Sequence, residues 1–436
     1  MKEGIRVYNL YPKLVGKMDK WVEHFDRIKV MNFDWVYVNP FHSTGLSSYA
    51  VKDYYAYNPL FSKGTMNGED YSEADLEANK EKGNELLKYV CSEAKKRGMN
   101  IMMDLVINHT ATDAVITKTH PEWYKRNHDG SIKHPGAMDG NNWIEWGDLA
   151  QIDNEHSSDK DGLWEYWLDI ILFYAELGIR GFRCDAAYHI SPKLWKFLIE
   201  HTKSKYPDAV FLAETLGCTP VELMTTADTG FDYVMNSFKW WDFTADYFLK
   251  DYREWAGKYP SMTFPENHDT ARYAEETGYN ENMAIFKYAV CSYFCSSIAT
   301  TIGFEYGFGR RLDVVQTIPD WWEDKKYDIS SAIAKINEIK SSYKVLQEDN
   351  IIDVLRADCD VFVFSKTSLD GKEKVVVIAN RNGHGINEVY VHDLYAIMGT
   401  DKVEDISHGY RMSGIPCNFH YNLNPGEVKL LYSRRG

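Results

Sequence analysis

Arg183 and Asp185 stand two residues apart at the end of a short apolar run that begins near Gly178. On a strand, side chains at i and i+2 share a face, so this spacing sets a guanidinium beside a carboxylate. A cation at that range favours the ionised acid, the state required for attack on an electrophilic carbon. Alone, the pair reads equally well as a buried structural ion pair. Three other segments tilt the balance: Asp104-Leu-Val-Ile-Asn108-His109, Phe211-Leu-Ala-Glu214 and Phe264-Pro-Glu-Asn267-His268-Asp269. Each delivers acidic groups at the end of an apolar run. Four acidic ends meeting at one mouth are electrostatically costly unless a site uses them.

Three acids with two histidines and an arginine suit glycosidic chemistry. One ionised carboxylate attacks the anomeric carbon while a second, held protonated, donates to the leaving oxygen. The two carboxyls of retaining enzymes stand about 5–5.5 Å apart, close to the roughly 4.8 Å between neighbouring strands. Asp185 and Glu214 at the ends of adjacent strands fit that arrangement. Asp269 is placed to grip sugar hydroxyls, with its charge helping to keep Glu214 protonated. His109 and His268 would bind hydroxyls in the same subsite, although a lone histidine is more commonly a hydrogen-bonded core residue.

The elements that must position these groups are legible as well. Short runs rich in β-branched or aromatic residues recur at 6–10, 34–39, 100–107, 178–185, 209–214, 231–236, 262–265 and 298–303. Helical patterns fall between them, among them 83–97, 162–177, 192–205 and 282–294. In 162–177, Leu163, Trp164, Trp167, Leu168, Ile171, Tyr174 and Ala175 recur at three- and four-residue steps, an apolar helical face that Gly178 would stop. Eight strand–helix units predict an α/β fold, a (β/α)8 barrel with its catalytic groups at the carboxyl ends of the strands. A doubly wound open sheet would need a glycine-rich loop after its first strand, and none is present. The barrel is expected over 1–107 and 155–345. Residues 108–154, rich in His, Asn, Asp, Gly and Trp, form an excursion after the third strand, and long loops of this kind are usually functional. From 350 to 436, short strands between Gly, Asn and Asp turns predict an all-β sandwich.

Composition narrows the partners. The 436 residues carry a net charge of −15 with no basic run, which disfavours nucleic acid and anionic membranes. The most apolar stretch, 288–308, contains serines and threonines and reads as a buried helix leading into a strand. The start lacks a signal-like apolar segment, and seven cysteines without a C-x-x-C pattern fit free thiols in a reducing compartment. A cytoplasmic protein is expected. The 14% aromatic content, including 13 Trp and 30 Tyr, is a weak pointer to sugar faces.

The four segments, in this order, resemble the signature regions of the α-amylase superfamily, glycoside hydrolase family 13: D-x-x-x-N-H, then G-F-R-x-D-A-x-x-H, then a general-acid Glu, then N-H-D. The resemblance spans roughly residues 5–310, and the last module is similar to the family's C-terminal domain. It implies Asp185 as nucleophile, Glu214 as general acid/base and Asp269 as transition-state stabiliser, with Arg183, His109 and His268 around the reacting sugar. It further implies Tyr49 as an aromatic platform, Asp53 and Tyr54 as the family's Asp-Tyr pair, and 108–154 as a short domain B. Tyr188 and His189 close the second region. Many amylases have Lys at the position of Tyr188, so the acceptor side should differ. Ala150 stands where an acidic or amide residue often binds calcium. Asn108 matches a family calcium ligand but does not make a site alone, so calcium is expected to be absent or non-essential, and no other metal or cofactor is required. Trp240-Trp241 and Trp321-Trp322 are candidate walls around a short substrate or, equally, packed loop hydrophobes.

These readings point to a retaining α-glycoside hydrolase acting on α-1,4 bonds of short maltooligosaccharides. The alternative is a transglycosylase with the same nucleophile and acid/base but a sugar acceptor. A non-catalytic sugar-binding or transporter-associated relative is disfavoured because all three acids are present. A metal hydrolase is disfavoured because no H-E-x-x-H spacing occurs.

Overall fold

The computed structural model describes residues 2–63, 73–139, 142–245 and 247–434; Asp139-Gly140-Asn141 of the 108–154 excursion lies partly outside them. Eight parallel strands close into a barrel: β1 (Arg6–Leu10), β2 (Trp35–Val38), β3 (Asn100–Leu105), β4 (Gly181–Cys184), β5 (Val210–Ala213), β6 (Tyr233–Met235), β7 (Ser261–Thr263) and β8 (Ser297–Thr301). Each strand pairs with its sequence neighbours, and β8 closes on β1. All eight lie within a few residues of the apolar runs in the sequence.

Period-two alternation divides the side chains. Val7, Trp35, Tyr37, Met102, Val210, Leu212, Tyr233, Met235 and Met262 fill the barrel interior. Their neighbours Val36, Ile101, Met103, Phe182 and Phe211 face outward under the helices. Interior positions near the carboxyl ends are polar instead, beginning with Asn9, Asp104 and Arg183, all buried. The functional groups therefore top a packed column of apolar layers.

The surrounding helices include α1 (Glu73–Lys96), α2 (Lys160–Leu177), α3 (Pro192–Lys205), α4 (Pro220–Ala227), α5 (Tyr247–Trp255), α6 (Glu281–Phe294) and α7 (Ser330–Ser342). The Asp159 side chain accepts from Gly162 N at the start of α2, and Gly178 ends it at φ 113°, a conformation open to glycine. The 108–154 excursion is more ordered than its lack of periodicity suggests. His109–Ala111 pairs antiparallel with Leu149–Gln151, and Gly136–Asp139 with Asn142–Glu145.

The C-terminal module holds a five-stranded sheet of β9 (Ile352–Ala357), β10 (Val361–Thr367), β11 (Glu373–Asn380), β15 (Val428–Arg434) and the short β13 (Glu404–Asp405). A second sheet pairs β12 (Asn387–Val391) with β14 (Phe419–Leu423). Val363, Val376, Ile378 and Leu431 of the first sheet pack with Val389, Val391 and Phe419 of the second. The opposite face of the first sheet, with Phe362, Phe364, Val375 and Val377, joins the barrel's outer core. Strand β14 carries no continuous apolar run in the sequence, because His420 and Asn422 interrupt it, and a helical turn at Leu394–Met398 stands within the otherwise all-β module.

Candidate active site

The inward alternation of β4 carries Arg183 into a column of acids. Its Nη1 donates to Asp104 Oδ1 at 2.9 Å and to Asp185 Oδ1, while Nη2 lies 3.9 Å from Glu214 Oε2. One guanidinium, 4% exposed, thus bridges carboxylates from three adjacent strands. The register explains this: Arg183 pairs with Asp104 on β3 and Cys184 with Ala213 on β5. Asp185 and Glu214 follow that last pair as neighbours, and Glu214 N donates to Cys184 O at 3.0 Å.

Ala186, directly after Asp185, has φ 42° and ψ 46°. A non-glycine residue in this left-handed region costs roughly 1 kcal/mol. The turn aims Ala186 N–H at Glu214 Oε2, 2.9 Å away, while Leu216 N donates to Oε1 at 2.6 Å. Burial raises the Glu214 pKa, and the Asp185 charge adds to it; Arg183 and the two N–H donors oppose without reversing the direction. A carboxyl whose pKa is raised stands beside one paired to a guanidinium, the asymmetry an acid/nucleophile pair requires. Among neighbouring acids, the Asp185 charge raises Glu214 the most, after burial.

The loop after β7 supplies His268 and Asp269, whose Nε2 and Oδ2 are 3.1 Å apart. The Asp269 side chain is 59% exposed; desolvation opposes its charge, but His268, Arg183 and Arg311 outweigh it and hold the acid below the ordinary aspartate range. Tyr49 donates to Asp104 Oδ2 at 2.8 Å and meets His268 Nε2 at 2.7 Å. Its ring lies parallel to the imidazole at 5.7 Å, so Tyr49 belongs to the cluster rather than anchoring a distant loop. His109 is 6% exposed with neither ring nitrogen hydrogen-bonded among the described residues; burial lowers its pKa, and the Asp185 charge opposes that shift. Tyr188 is half-buried, and burial followed by the Glu214 charge raises its hydroxyl to about 12. The His189 ring lies 4.2 Å from that of Tyr188.

Other candidates separate. Tyr54 is buried and donates to Val106 O at 2.6 Å, with its ring against Trp167. These contacts brace the barrel wall. Asp53 faces Lys80 at 3.5 Å and accepts from Tyr55 N. Trp241 packs among Phe238, Phe248, Tyr252 and Phe294, a core role. Trp240 is 53% exposed with its edge on Phe264. Of the second pair, Trp322 lies against His24 and Phe308, whereas Trp321 lines a pocket of about 470 Å³ with His268, Asp269, Arg310 and Arg311. Arg311 Nη2 donates to Asp269 O at 2.6 Å, and Arg310 lies over the Trp321 ring at 4.9 Å.

Sequence reasoning named Asp104 only as a strand end and missed Tyr37, Asn39 and Arg311. Tyr37 donates to Asp104 Oδ2, and Asn39 donates to both Tyr37 and Tyr49 hydroxyls at 3.1 Å. The signal was present in part: Tyr37 and Asn39 continue the inward alternation of β2 and turn polar at its carboxyl end.

A closed parallel barrel with paired carboxyls at adjacent strand ends defines the class of barrel enzymes that act on glycosidic bonds through two acids. Residues 1–128 match the family model of the glycogen debranching enzyme glucanotransferase domain. The chain is 23% identical to an alpha-1,4-glucan:maltose-1-phosphate maltosyltransferase of Picrophilus torridus, over 98% of this chain and 68% of the relative. It is 26% identical to the protein of that name from Rhodospirillum rubrum, over 91% and 60%. The chain thus spans about two thirds of the length of these relatives. Among solved structures, an alpha-amylase from H. orenii superimposes with a TM-score of 0.76 at 14% identity, covering all of both chains. A Nostoc punctiforme debranching enzyme does so at 0.73 and 18%, covering 98% of each. In sequence and fold the chain is therefore similar to glucan-active enzymes of this kind.

Proposed function

We propose that the chain is a retaining α-glucan-active transglycosylase that moves short α-1,4-linked glucosyl units by double displacement. The observation that carries this reading is the Arg183 bridge: one guanidinium paired to Asp185 and facing Glu214, whose pKa is raised. In the first step the Asp185 carboxylate attacks the anomeric carbon and forms a β-linked glycosyl ester, while Glu214 gives its proton to the departing oxygen. In the second, Glu214 takes a proton from the acceptor hydroxyl, which displaces Asp185 and restores the α configuration. His109, His268, Arg183 and Asp269 hold the hydroxyls of the reacting sugar, and Tyr49 packs beside it. No step needs a metal or a cofactor.

The acceptor is where this reading departs from the sequence-based preference for water. The relatives named above are maltosyltransferases, and the matched family model is a glucanotransferase domain, which favours a sugar acceptor. Tyr188, an aromatic wall beside Glu214 where the leaving group departs, suits a pyranose face more than bulk water. By analogy with those relatives, maltose-1-phosphate is a donor to test beside maltotriose. Incubation of either donor with a maltooligosaccharide acceptor should yield longer chains at early time, with inorganic phosphate released from the first. Free maltose and glucose without elongation would return the reading to hydrolysis.

A further inference from the structure

The barrel and the β module do not meet fully along the outer side of α6. A cavity of about 290 Å³ lies between them, lined by Ile285 and Tyr293 of α6, Ile336 of α7, and His408, Tyr410 and Glu427 of the module. Tyr293 is 1% exposed, and its hydroxyl has no hydrogen-bond partner among the described residues; the same holds for the buried Nδ1 of His408. A buried polar atom left unpaired costs about 1–3 kcal/mol, and neither group serves the acid cluster.

The walls are pre-set. Asn280 and Asn282 each donate to Gly383 O at 3.2 Å. The 425–428 turn approaches α6 so closely that a Cβ on Gly426 would stand 2.4 Å from Asn282 O. On the module side, a buried Lys429–Asp405 pair at 2.9 Å and the Leu430 N–Ser407 Oγ bond at 2.8 Å pin the loop that carries His408 and Tyr410. A rigid pocket loses little entropy on binding, and ligand sites favour such seams between domains.

The lining selects the ligand class. Glu427, in a chain of net charge −15, disfavours an anion. Its carboxylate already accepts from Asn424 and faces Lys429 at 3.4 Å, which leaves little attraction for a cation. Ile285 and Ile336 offer apolar faces, and the Tyr410 ring, 57% exposed, stands at the rim. Tyr293 Oη and His408 Nδ1 call for a partner that both donates and accepts. A pyranose combines C–H faces with such hydroxyls, and the volume suits one or two sugar units. We propose that this seam is a second carbohydrate site, separate from the carboxylate centre, that takes a neutral pyranose unit. The hydroxylated class follows from the cavity; that the sugar is an α-glucoside rests on the proposed function.

Titration of maltose into the full chain bearing Asp185→Asn, followed by calorimetry and ligand-observed NMR, tests this. Two classes of site are expected. Adding Tyr293→Phe or Tyr410→Ala should weaken one class roughly tenfold and leave the other unchanged. In the otherwise unaltered chain, the same two variants should keep kcat/KM on maltotriose. A single class of site, or a second class indifferent to both variants, overturns the proposal. Should the unaltered chain turn over no α-glucan, the proposed function fails, yet glucose, galactose and xylose still test the seam. Binding of any of them that Tyr293→Phe weakens supports it, and binding of none overturns it.

Discussion

Arg183 is the residue on which the site turns, because its guanidinium meets Asp104, Asp185 and Glu214 together. Loss of the nucleophile should be close to complete: Asp185→Asn is expected to lower kcat/KM by on the order of 10³-fold or more, measured by initial rates on maltotriose, and a loss below tenfold would remove its role. Glu214→Gln should cost about 10²–10⁴-fold where the leaving group needs a proton. An aryl glycoside with an acidic phenol needs none, so its glycosylation step should be far less affected. The raised pKa of Glu214 also sets a pH limb. The acid must be protonated for the first step, so kcat/KM falls as pH rises through its folded pKa, above the ordinary glutamate range. Glu214→Gln should abolish that limb, and Asp185→Asn, by removing the neighbouring negative charge, should move the Glu214 titration downward in a direct NMR measurement.

At the scale of elements, the site depends on how tightly β4 sits between its neighbours. Gly181 faces the barrel interior two positions before Arg183. A Cβ there would stand 2.7 Å from Met102 Cβ and 2.8 Å from a Trp35 ring carbon. Overpacking of this kind costs about 1–3 kcal/mol. Gly181→Ala is therefore expected to lower the denaturation midpoint and, by shifting β4, to lower kcat as well; a variant with unchanged stability and rate would show that the strand has room to move. The β4 pattern explains why the functional segment was readable at all. Period-two alternation assigns Arg183 and Asp185 to one face without any tertiary information. The same alternation on β2 pointed to Tyr37 and Asn39, but their neighbours Val36 and Val38 made the run look like plain core. Asp53-Tyr54 was legible only as a dipeptide, which does not reveal which way its strand turns; Tyr54 faces Trp167.

At the scale of the molecule, two buried lysines gather the end of α6, and one of them, Lys366, ties the β module to the barrel. Lys366 of the β module donates to Tyr293, Phe294 and Glu348 carbonyls at 2.7–3.2 Å. Lys340 of α7 serves Ser292, Cys295 and Leu346. Together they satisfy the carbonyls at the end of α6 that a helix leaves unpaired. Lys366→Met should cost about 3 kcal/mol, read as a lower midpoint in chemical denaturation with earlier proteolytic release of the module, whereas Lys335→Met at an exposed pair should change little. Nothing in the sequence marks these lysines, since a lone Lys in an apolar strand or helix reads as a surface residue. The sequence by itself determined the eight-strand barrel, the β module and the ordered segments that carry Asp185, Glu214 and Asp269, because these rest on local periodicity and on short ordered motifs. Only the tertiary structure decided which of the aromatic and polar candidates face the acids, that burial and then the Asp185 charge raise Glu214, and that a cavity opens behind α6. Each of those depends on side-chain direction across elements far apart in the chain, where burial and neighbouring charge, rather than residue type, set the chemistry.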